Sequence, residues 1–202
     1  MTRQSAAPFD HVSLNPSFQS AAWLARRVVE GEIDANPPYQ RGSVWAEEQR
    51  IALVQTWLRG LPAGVVILAD RCNSKWAAAN PGKDPYETGQ GIWAVVDGKQ
   101  RLTTAVLWFG SEFAIPASWL PADHVATTET TDDGPYARHD GLTAKGQRFM
   151  ERYCSLLVAE TKDCATEADE AAFYLLVNGG GTPQTDADMG NAARVARKED
   201  NR

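Results

Sequence analysis

The chain has 202 residues, of which 43% are hydrophobic, and it carries a formal net charge of −6. That length suits one domain with short tails, since domains commonly hold roughly 100 to 200 residues. No run approaches the roughly 18 to 20 apolar residues that cross a bilayer, and the acidic balance excludes bulk attraction to nucleic acid, so any DNA contact must come from a local cluster of Arg and Lys.

The N-terminal part of the chain predicts two helices joined by extended chain. Apolar positions recur with helical spacing over residues 17–30, with Ser17 as the N-cap. The same holds over residues 46–60, where two glutamates begin the helix and a glycine ends it. Between the two helices, Pro37 and Pro38 require extended chain and a turn.

Strands and helices alternate in the middle of the chain. Short continuous apolar runs at residues 65–68 and 92–96 predict buried strands. Residues 70–91 between them are rich in Asn, Gly, Pro and Lys and predict a surface excursion. A helix is predicted after residues 97–101, followed by a short strand at residues 112–116.

The C-terminal part begins with residues 121–141, where Thr, Asp, Gly and Pro dominate and predict a flexible loop. Thr166 and Asp169 have the spacing of a capping box at the start of a helix. The elements predicted after the loop are a helix near residues 143–153, a strand near 156–159, a helix over 166–178 and a last helix beginning near Thr185.

This order of elements, without a visible repeat, predicts a single α/β (α+β) domain over residues 17–196. Residues 1–16 form an N-terminal tail, and residues 197–202 form a charged tail. The N-terminal tail lacks the apolar core of a secretory signal, so we expect a cytoplasmic protein. The three cysteines are widely spaced without a C-x-x-C pair, which indicates ordinary thiols, and the scattered histidines argue against a zinc site.

The segment Asp97-Gly98-Lys99-Gln100-Arg101 lies between a predicted strand and a predicted helix. Unpaired backbone N–H groups at a helix N-terminus favour an anion, Gly98 permits close approach, and Lys99 and Arg101 add positive charge. Gln100 both donates and accepts hydrogen bonds, and Asp97 suits Mg²⁺ or the activation of a nucleophile. Taken alone, the segment is better explained as a tight turn capped by Asp97 with solvated cations, because Asp-Gly turns are common.

A second polar segment, Tyr39-Gln40-Arg41, precedes the second predicted helix. The Arg41 guanidinium suits bidentate binding of a phosphate, and the ring of Tyr39 or Trp45 suits stacking on a base. The alternative is a capped helix start with both rings packed in the core.

A third segment consists of Asn178 followed by three glycines, residues 179–181, at the end of a predicted helix. Consecutive glycines allow a loop whose N–H groups form a nest for an anion, and Asn178 suits a bound hydroxyl or carbonyl. A simple helix stop before a new cap is the plainer interpretation.

The three segments together resemble a known family. In chain order they read "PPYQRGSVW", "VVDGKQRLTT" and "LLVNGGGTPQT". They are similar to the domain with an Asp-Gly-Gln-Gln-Arg signature at the N-terminus of GmrSD-type modification-dependent restriction enzymes, which belongs to the ParB/sulfiredoxin superfamily. The resemblance covers about residues 17–196. It implies a ParB/sulfiredoxin-like core, a small mixed sheet with surrounding helices, that binds a nucleoside triphosphate (ATP, GTP or CTP) with Mg²⁺.

The resemblance also implies a role for each matching residue. Catalytic roles fall to Asp97, Lys99, Gln100 and Arg101, with Asp97 also at the metal. Lys99 departs from the family pattern, which usually has Gln at this position. The residues implied to bind the nucleotide are Tyr39, Gln40, Arg41, Gly98, Thr103, Asn178 and Gly180.

The predicted function is nucleotide-dependent phosphoryl transfer, by an NTPase or a kinase, in DNA modification or phage restriction. The implied partners are a nucleotide, DNA and a separate nuclease or modification enzyme, with no membrane. Two alternatives remain: a non-catalytic nucleotide- or DNA-binding regulatory module, and a ParB-like nuclease. The chain has no H-x-x-H or H-N-H pattern, so we do not expect it to cleave DNA alone.

Overall fold

The computed structural model of the chain describes residues 11–12, 14–40, 42, 45–87, 91–179 and 186–197. Within these ranges the chain forms a five-stranded mixed sheet, a three-stranded antiparallel sheet, and helices that pack on both faces of the larger sheet. The predicted α+β fold class is confirmed. Each helix in the described ranges is too short or too polar to cross a membrane.

The strands are β1 (Ser17–Ser20), β2 (Ile33–Asp34), β3 (Val65–Asp70), β4 (Trp93–Asp97), β5 (Ile115–Pro116), β6 (Glu129–Thr131), β7 (Gly134–Ala137) and β8 (Ser155–Thr161). The α-helices are α1 (Ala21–Val29), α2 (Glu47–Leu58), α3 (Ser74–Ala79), α4 (Lys99–Phe109), α5 (Ala144–Tyr153), α6 (Glu167–Gly179) and α7 (Asp186–Ala196). The larger sheet has the order β1-β8-β3-β4-β2, and the smaller one β5-β7-β6. β8 is parallel to β3 and β4 is parallel to β2, while the other neighbours in the larger sheet are antiparallel.

The apolar run of β3 is buried on both faces of the sheet. Val66 and Leu68 point to a core that also contains residues of α1, α2, α4 and α5. Ile67 and Ala69 point to a second core under α6 and α7. Successive side chains of a strand point to opposite faces, so a strand covered on both sides reads as a continuous apolar run instead of an alternating one. The sequence pattern therefore identified a central strand correctly.

The helix predicted over residues 17–30 begins only at Ala21, because β1 pairs with the edge of β8. Ser20 is the N-cap, and its hydroxyl accepts a hydrogen bond from the Trp23 backbone N–H at 3.4 Å. The prediction that Ser17 caps this helix is wrong. The helical spacing of apolar residues continues from β1 into α1, so the sequence pattern does not show where the helix starts. The start is set by the pairing of β1 with β8, which is distant in sequence.

Two segments predicted to be irregular contain regular structure. α3 lies within residues 70–91, and the Asn73 side chain caps it by accepting a hydrogen bond from the Trp76 backbone N–H at 2.9 Å. β6 and β7 lie within residues 121–141, so the prediction of a loop there is wrong. β6 is exposed along its whole length, which explains a polar composition typical of loops.

The other predicted helices and strands are confirmed to within a few residues. At the start of α6, the Thr166 backbone N–H donates to Asp169 Oδ2 at 3.0 Å, and the Asp169 N–H donates to Thr166 Oγ1 at 3.2 Å, as the capping-box spacing predicts. α7 begins at Asp186, one residue after the predicted start at Thr185, which lies outside the described residues. The domain limits stay a prediction.

A buried ion pair joins the end of β3 to the first half of α6. Arg71 Nε and Nη2 each donate to a Glu170 carboxylate oxygen at 2.8 Å, and Arg71 Nη1 donates to Asp34 Oδ2 at 3.2 Å. The Arg71 side chain is 2% exposed and that of Glu170 is 0% exposed. Burial disfavours the charged guanidinium, but the hydrogen bonds and charge of Glu170 outweigh burial and hold the pKa of Arg71 above its usual value.

Removing Glu170 should destabilise the fold strongly, because the buried Arg71 guanidinium loses two of its carboxylate hydrogen bonds and keeps only the one to Asp34. We expect Glu170→Ala to lower the free energy of unfolding by about 3–5 kcal/mol. The control is Lys75→Ala, which removes the solvent-exposed ion pair between Lys75 and Asp163 and should leave stability nearly unchanged. Urea denaturation followed by circular dichroism measures both, and similar losses for the two variants would show that the buried pair does not hold the fold.

Candidate functional site

A cavity of about 170 Å³ lies where the N-terminus of α4 meets the end of β4. Its wall draws on all three segments that the sequence singled out. The lining residues are Gln40, Trp45, Asp97, Gly98, Lys99, Gln100, Arg101, Tyr174 and Asn178. Segments far apart in the chain therefore meet around one polar cavity, which makes it the candidate site.

Gly98 forms the turn between β4 and α4 in a conformation that only glycine adopts easily. Its φ is 88°, in the left-handed region, and it is the N-cap of α4. A Cβ atom at this position would lie 2.8 Å from Val66 Cγ2 and 2.9 Å from Val66 Cα. The absence of a side chain thus lets the turn pack directly on β3, and it places the N-terminus of α4 at the cavity.

Asp97 and Arg101 lie side by side at this turn. Arg101 Nη1 is 3.6 Å from Asp97 Oδ2 and donates to the Val65 carbonyl oxygen at 3.1 Å. A Cβ atom on Gly64 would lie only 2.7 Å from Arg101 Nη2, so that glycine makes room for the guanidinium. The side chains of Arg101 and Asp97 are 26% and 31% exposed, which leaves both accessible from the cavity.

Lys99 is the first residue of α4 and is only 8% exposed. Burial lowers the pKa of its ammonium group, and the negative charge of Asp34 opposes that shift. A cation held out of water interacts more strongly with an anion than a solvated one does. Lys99 therefore places a largely buried cation in the wall of the cavity.

Two glutamine side chains fix the segment that faces α4. Gln40 Nε2 donates to the Val95 and Val96 carbonyl oxygens at 3.0 and 2.8 Å. Gln100 Oε1 accepts from the Trp45 backbone N–H at 3.4 Å, and Gln100 Nε2 lies 3.4 Å from the Gly42 carbonyl oxygen. Both amides thus tie this segment to β4 and α4 and hold one side of the cavity in place.

Tyr39 lies behind the cavity wall. Tyr39 is only 1% exposed. Its ring packs against the ring of Tyr174, with 5.7 Å between the two ring centroids, and Tyr174 does line the cavity. Its hydroxyl oxygen is 3.2 Å from Glu170 Oε2 and 3.3 Å from the Val95 carbonyl oxygen. The predicted stacking of Tyr39 on a base conflicts with this burial, and the position of Tyr39 suits a role in supporting the wall. Trp45, the other aromatic residue predicted to stack on a base, does line the cavity.

The remaining predicted residues divide into three groups. Asn178 lines the cavity, and its side-chain amide donates to the Tyr174 carbonyl oxygen at 2.9 Å. Thr103 is half-buried on α4 and is not among the lining residues in the described part of the chain. Arg41 and Gly180 lie outside the described residues.

Sequence motifs did not identify Tyr174, which lies in an apolar helix without a recognisable motif. Tyr174 follows Glu170 by four positions on α6, so both side chains lie on the same face of the helix. The only signal in the sequence that could have indicated Tyr174 was its spacing of four from Glu170, an acidic residue on an otherwise apolar helical face.

Asp97 is the one carboxylate in the described wall of the cavity. No three His, Cys, Asp or Glu side chains cluster as metal ligands anywhere in the described residues. A closed metal cage made by the protein alone is thus missing from that part of the chain. One carboxylate is still a sufficient protein ligand for Mg²⁺, which usually keeps several waters and takes its other ligands from substrate phosphates.

An α+β domain with a polar cavity at a strand-to-helix junction is the class of protein that this geometry defines. Residues 26–194 match the family model described as "GmrSD restriction endonuclease, N-terminal domain". Because the match covers well over half of the chain, the chain belongs to that family. Comparison with curated proteins and with solved structures gave no match. Membership of the ParB/sulfiredoxin superfamily stays a prediction.

Replacing Gly98 should cost more stability than replacing a glycine with similar backbone angles in open space. Gly31 is the matched control, because its φ is 78° and an added Cβ would meet nothing within 4 Å. We expect Gly31→Ala to cost roughly 1–2 kcal/mol from left-handed strain, and Gly98→Ala to cost about 1–3 kcal/mol more from contact with Val66. Equal losses in urea denaturation would show that the turn does not need close packing on β3.

Proposed function

We propose that the chain is a nucleotide-dependent phosphoryl-transfer domain, an NTPase or a kinase, that acts in the restriction of modified DNA. The observation that carries this proposal is the cavity at the N-terminus of α4, where Arg101 lies beside Asp97 and Lys99 forms part of the wall. The family supports the setting, since its description names a restriction endonuclease. The geometry supports the chemistry, because phosphoryl transfer depends mainly on positioning and on charge stabilisation.

The cavity fits the phosphate end of a nucleotide. Its volume of about 170 Å³ is smaller than the roughly 300–1,000 Å³ of sites that enclose a whole small molecule. The first N–H groups of α4 and the ammonium of Lys99 bind phosphoryl oxygens, and the guanidinium of Arg101 forms paired hydrogen bonds to them. The nucleoside then extends beyond the cavity, past the aromatic ring of Trp45.

The Asp97 carboxylate gives the site its basic group. It lies at the end of β4, is partly exposed, and contacts Arg101, which keeps it oriented toward the cavity. In the proposed reaction Asp97 orients the attacking water or acceptor hydroxyl and accepts its proton. Asp97 is also the residue that would hold Mg²⁺, which when bound neutralises charge on the phosphate oxygens.

The nuclease step belongs to a partner in this proposal. The family is the N-terminal domain of a restriction endonuclease, so DNA cleavage is assigned to another domain or to a partner enzyme. With a net charge of −6, the chain contacts DNA through local cationic groups. Nucleotide turnover in this domain would then license cleavage by the partner.

Phosphate release should require both Asp97 and Arg101. We expect the purified chain with Mg²⁺ to release or transfer the terminal phosphate of ATP, GTP or CTP, assayed with labelled nucleotides with and without DNA. Asp97→Ala and Arg101→Ala should each abolish turnover and leave the thermal melt nearly intact. The control is Arg59→Ala, which removes an exposed arginine outside the cavity wall and should leave turnover unchanged.

Three outcomes of this assay would contradict the proposal. Tight nucleotide binding without turnover would indicate a regulatory module, and metal-dependent nicking of a plasmid that Asp97→Ala abolishes would indicate a nuclease. A large fall in melting temperature in both variants would show that Asp97 and Arg101 stabilise the fold. Transfer to a hydroxyl in place of release to water would identify a kinase.

The buried ammonium of Lys99 should make nucleotide binding pH-dependent. Its lowered pKa means that the charge is lost at a lower pH than for an ordinary lysine, so nucleotide affinity should fall early as the pH rises. Lys99→Gln, which introduces the residue usual in the family, should weaken binding at neutral pH and remove this alkaline fall. Calorimetric titrations across pH test this, and an identical pH profile for both proteins would exclude Lys99 as the titrating group.

A further inference from the structure

A second cavity, of about 470 Å³, opens beside α3. Among the described residues it shares no wall residue with the cavity at α4. Its wall consists of Arg71, Cys72, Trp76, Ala77, Asn80 and residues 82–86. The volume lies within the roughly 300–1,000 Å³ range of small-molecule sites, so the cavity is large enough to enclose a ligand of one or two rings.

Two aromatic residues form much of this wall. Trp76 is 3% exposed, and the Arg71 guanidinium carbon lies 5.1 Å from its ring centroid, which fixes the indole in place. Tyr86 is 73% exposed and lies in the same wall as Cys72. The wall therefore offers one aromatic ring that is held rigidly and a second that is open to solvent.

The polar groups of the wall do not suit an anion or a sugar. The Arg71 guanidinium pairs with Glu170 and Asp34 and so is already balanced by carboxylates. The Asn80 side-chain amide donates to the carbonyl oxygens of Trp76 and Ala165, both at 3.0 Å. An anion would need an excess of positive charge in the wall, but the second cation there, Lys83, is matched in number by the carboxylate of Asp84. A sugar would need a dense set of donors and acceptors.

Lys83 and Asp84 add one charge of each sign to the wall. The Lys83 ammonium lies 3.5 Å from Asn80 Oδ1, and Asp84 Oδ1 accepts from the Tyr86 backbone N–H at 2.9 Å. A donor and an acceptor side by side next to aromatic rings match the edge of a neutral heterocycle that carries both kinds of group. They favour such a ring over a purely apolar one.

We propose that this second cavity binds a nucleobase by stacking on Tyr86, with Lys83 and Asp84 reading its edge. The base comes either from a free nucleoside or from an unstacked position in a DNA strand, since the recognised chemistry is the same. This site is independent of the proposed phosphoryl transfer.

Calorimetry with probes that lack a phosphate tests the proposal. The full chain is titrated with adenosine, guanosine, cytidine and thymidine, and in parallel with a short single-stranded DNA. We expect saturable binding of at least one probe, and we expect Tyr86→Ala to raise its Kd about 5- to 100-fold, the range typical of losing a base–aromatic stack. Tyr86→Phe should restore most of the affinity because it keeps the ring.

The matched control is Tyr153→Ala, which removes another solvent-exposed tyrosine, 52% exposed, outside the cavity wall. It should leave the Kd unchanged, and thermal melts should show that all tyrosine variants fold. Nucleoside binding identifies a small-molecule source, and binding of the oligonucleotide alone, if it depends on Tyr86, identifies a base in a strand.

Absence of binding by every probe would overturn the proposal, as would an unchanged Kd in Tyr86→Ala. Binding lost in Arg101→Ala but kept in Tyr86→Ala would also overturn it, because the base would then belong to the cavity at α4. Because nucleosides have no phosphate, these results do not depend on whether the chain turns over nucleotides.

Discussion

The rest of the structure depends on the buried ion pair between Arg71 and Glu170. It fastens the end of β3 to α6 and, through Tyr39 and Asp34, reaches two further segments of the chain. Because both charged groups are withdrawn from water, each depends mainly on the other to compensate its charge. The pair therefore fixes α6 against the sheet, and with it Tyr174 in the wall of the first cavity.

The same network borders both cavities. Arg71 forms part of the wall beside α3, while Tyr39 lies directly behind the wall beside α4. The first cavity concentrates charge at a helix N-terminus and suits phosphate groups, whereas the second combines aromatic rings with balanced charge and suits a flat neutral ring. One buried network thus supports the walls of two cavities of different composition.

Much of the fold was predictable from local pattern, and the errors share one cause. The central strands and the long helices carry their signal in apolar spacing, and the capping box of α6 was visible as Thr166 and Asp169. The errors were β1, α3 and the hairpin of β6 and β7, each of which is too short to carry a clear apolar repeat. Such elements are stabilised by pairing with distant strands or by a helix cap. The periodicity of apolar residues indicates neither of these.

By itself the sequence determined the turn at Gly98 with its charged neighbours, and it showed the three segments that resemble the family. Those features are local, because a left-handed glycine and a helix N-terminus are written in adjacent residues. Only the tertiary structure decided that Lys99 is buried, that Tyr39 lies behind the wall, and that Arg71 meets Glu170 from 99 positions away. Burial and long-range pairing depend on how sheet and helices pack, so no local pattern specifies them.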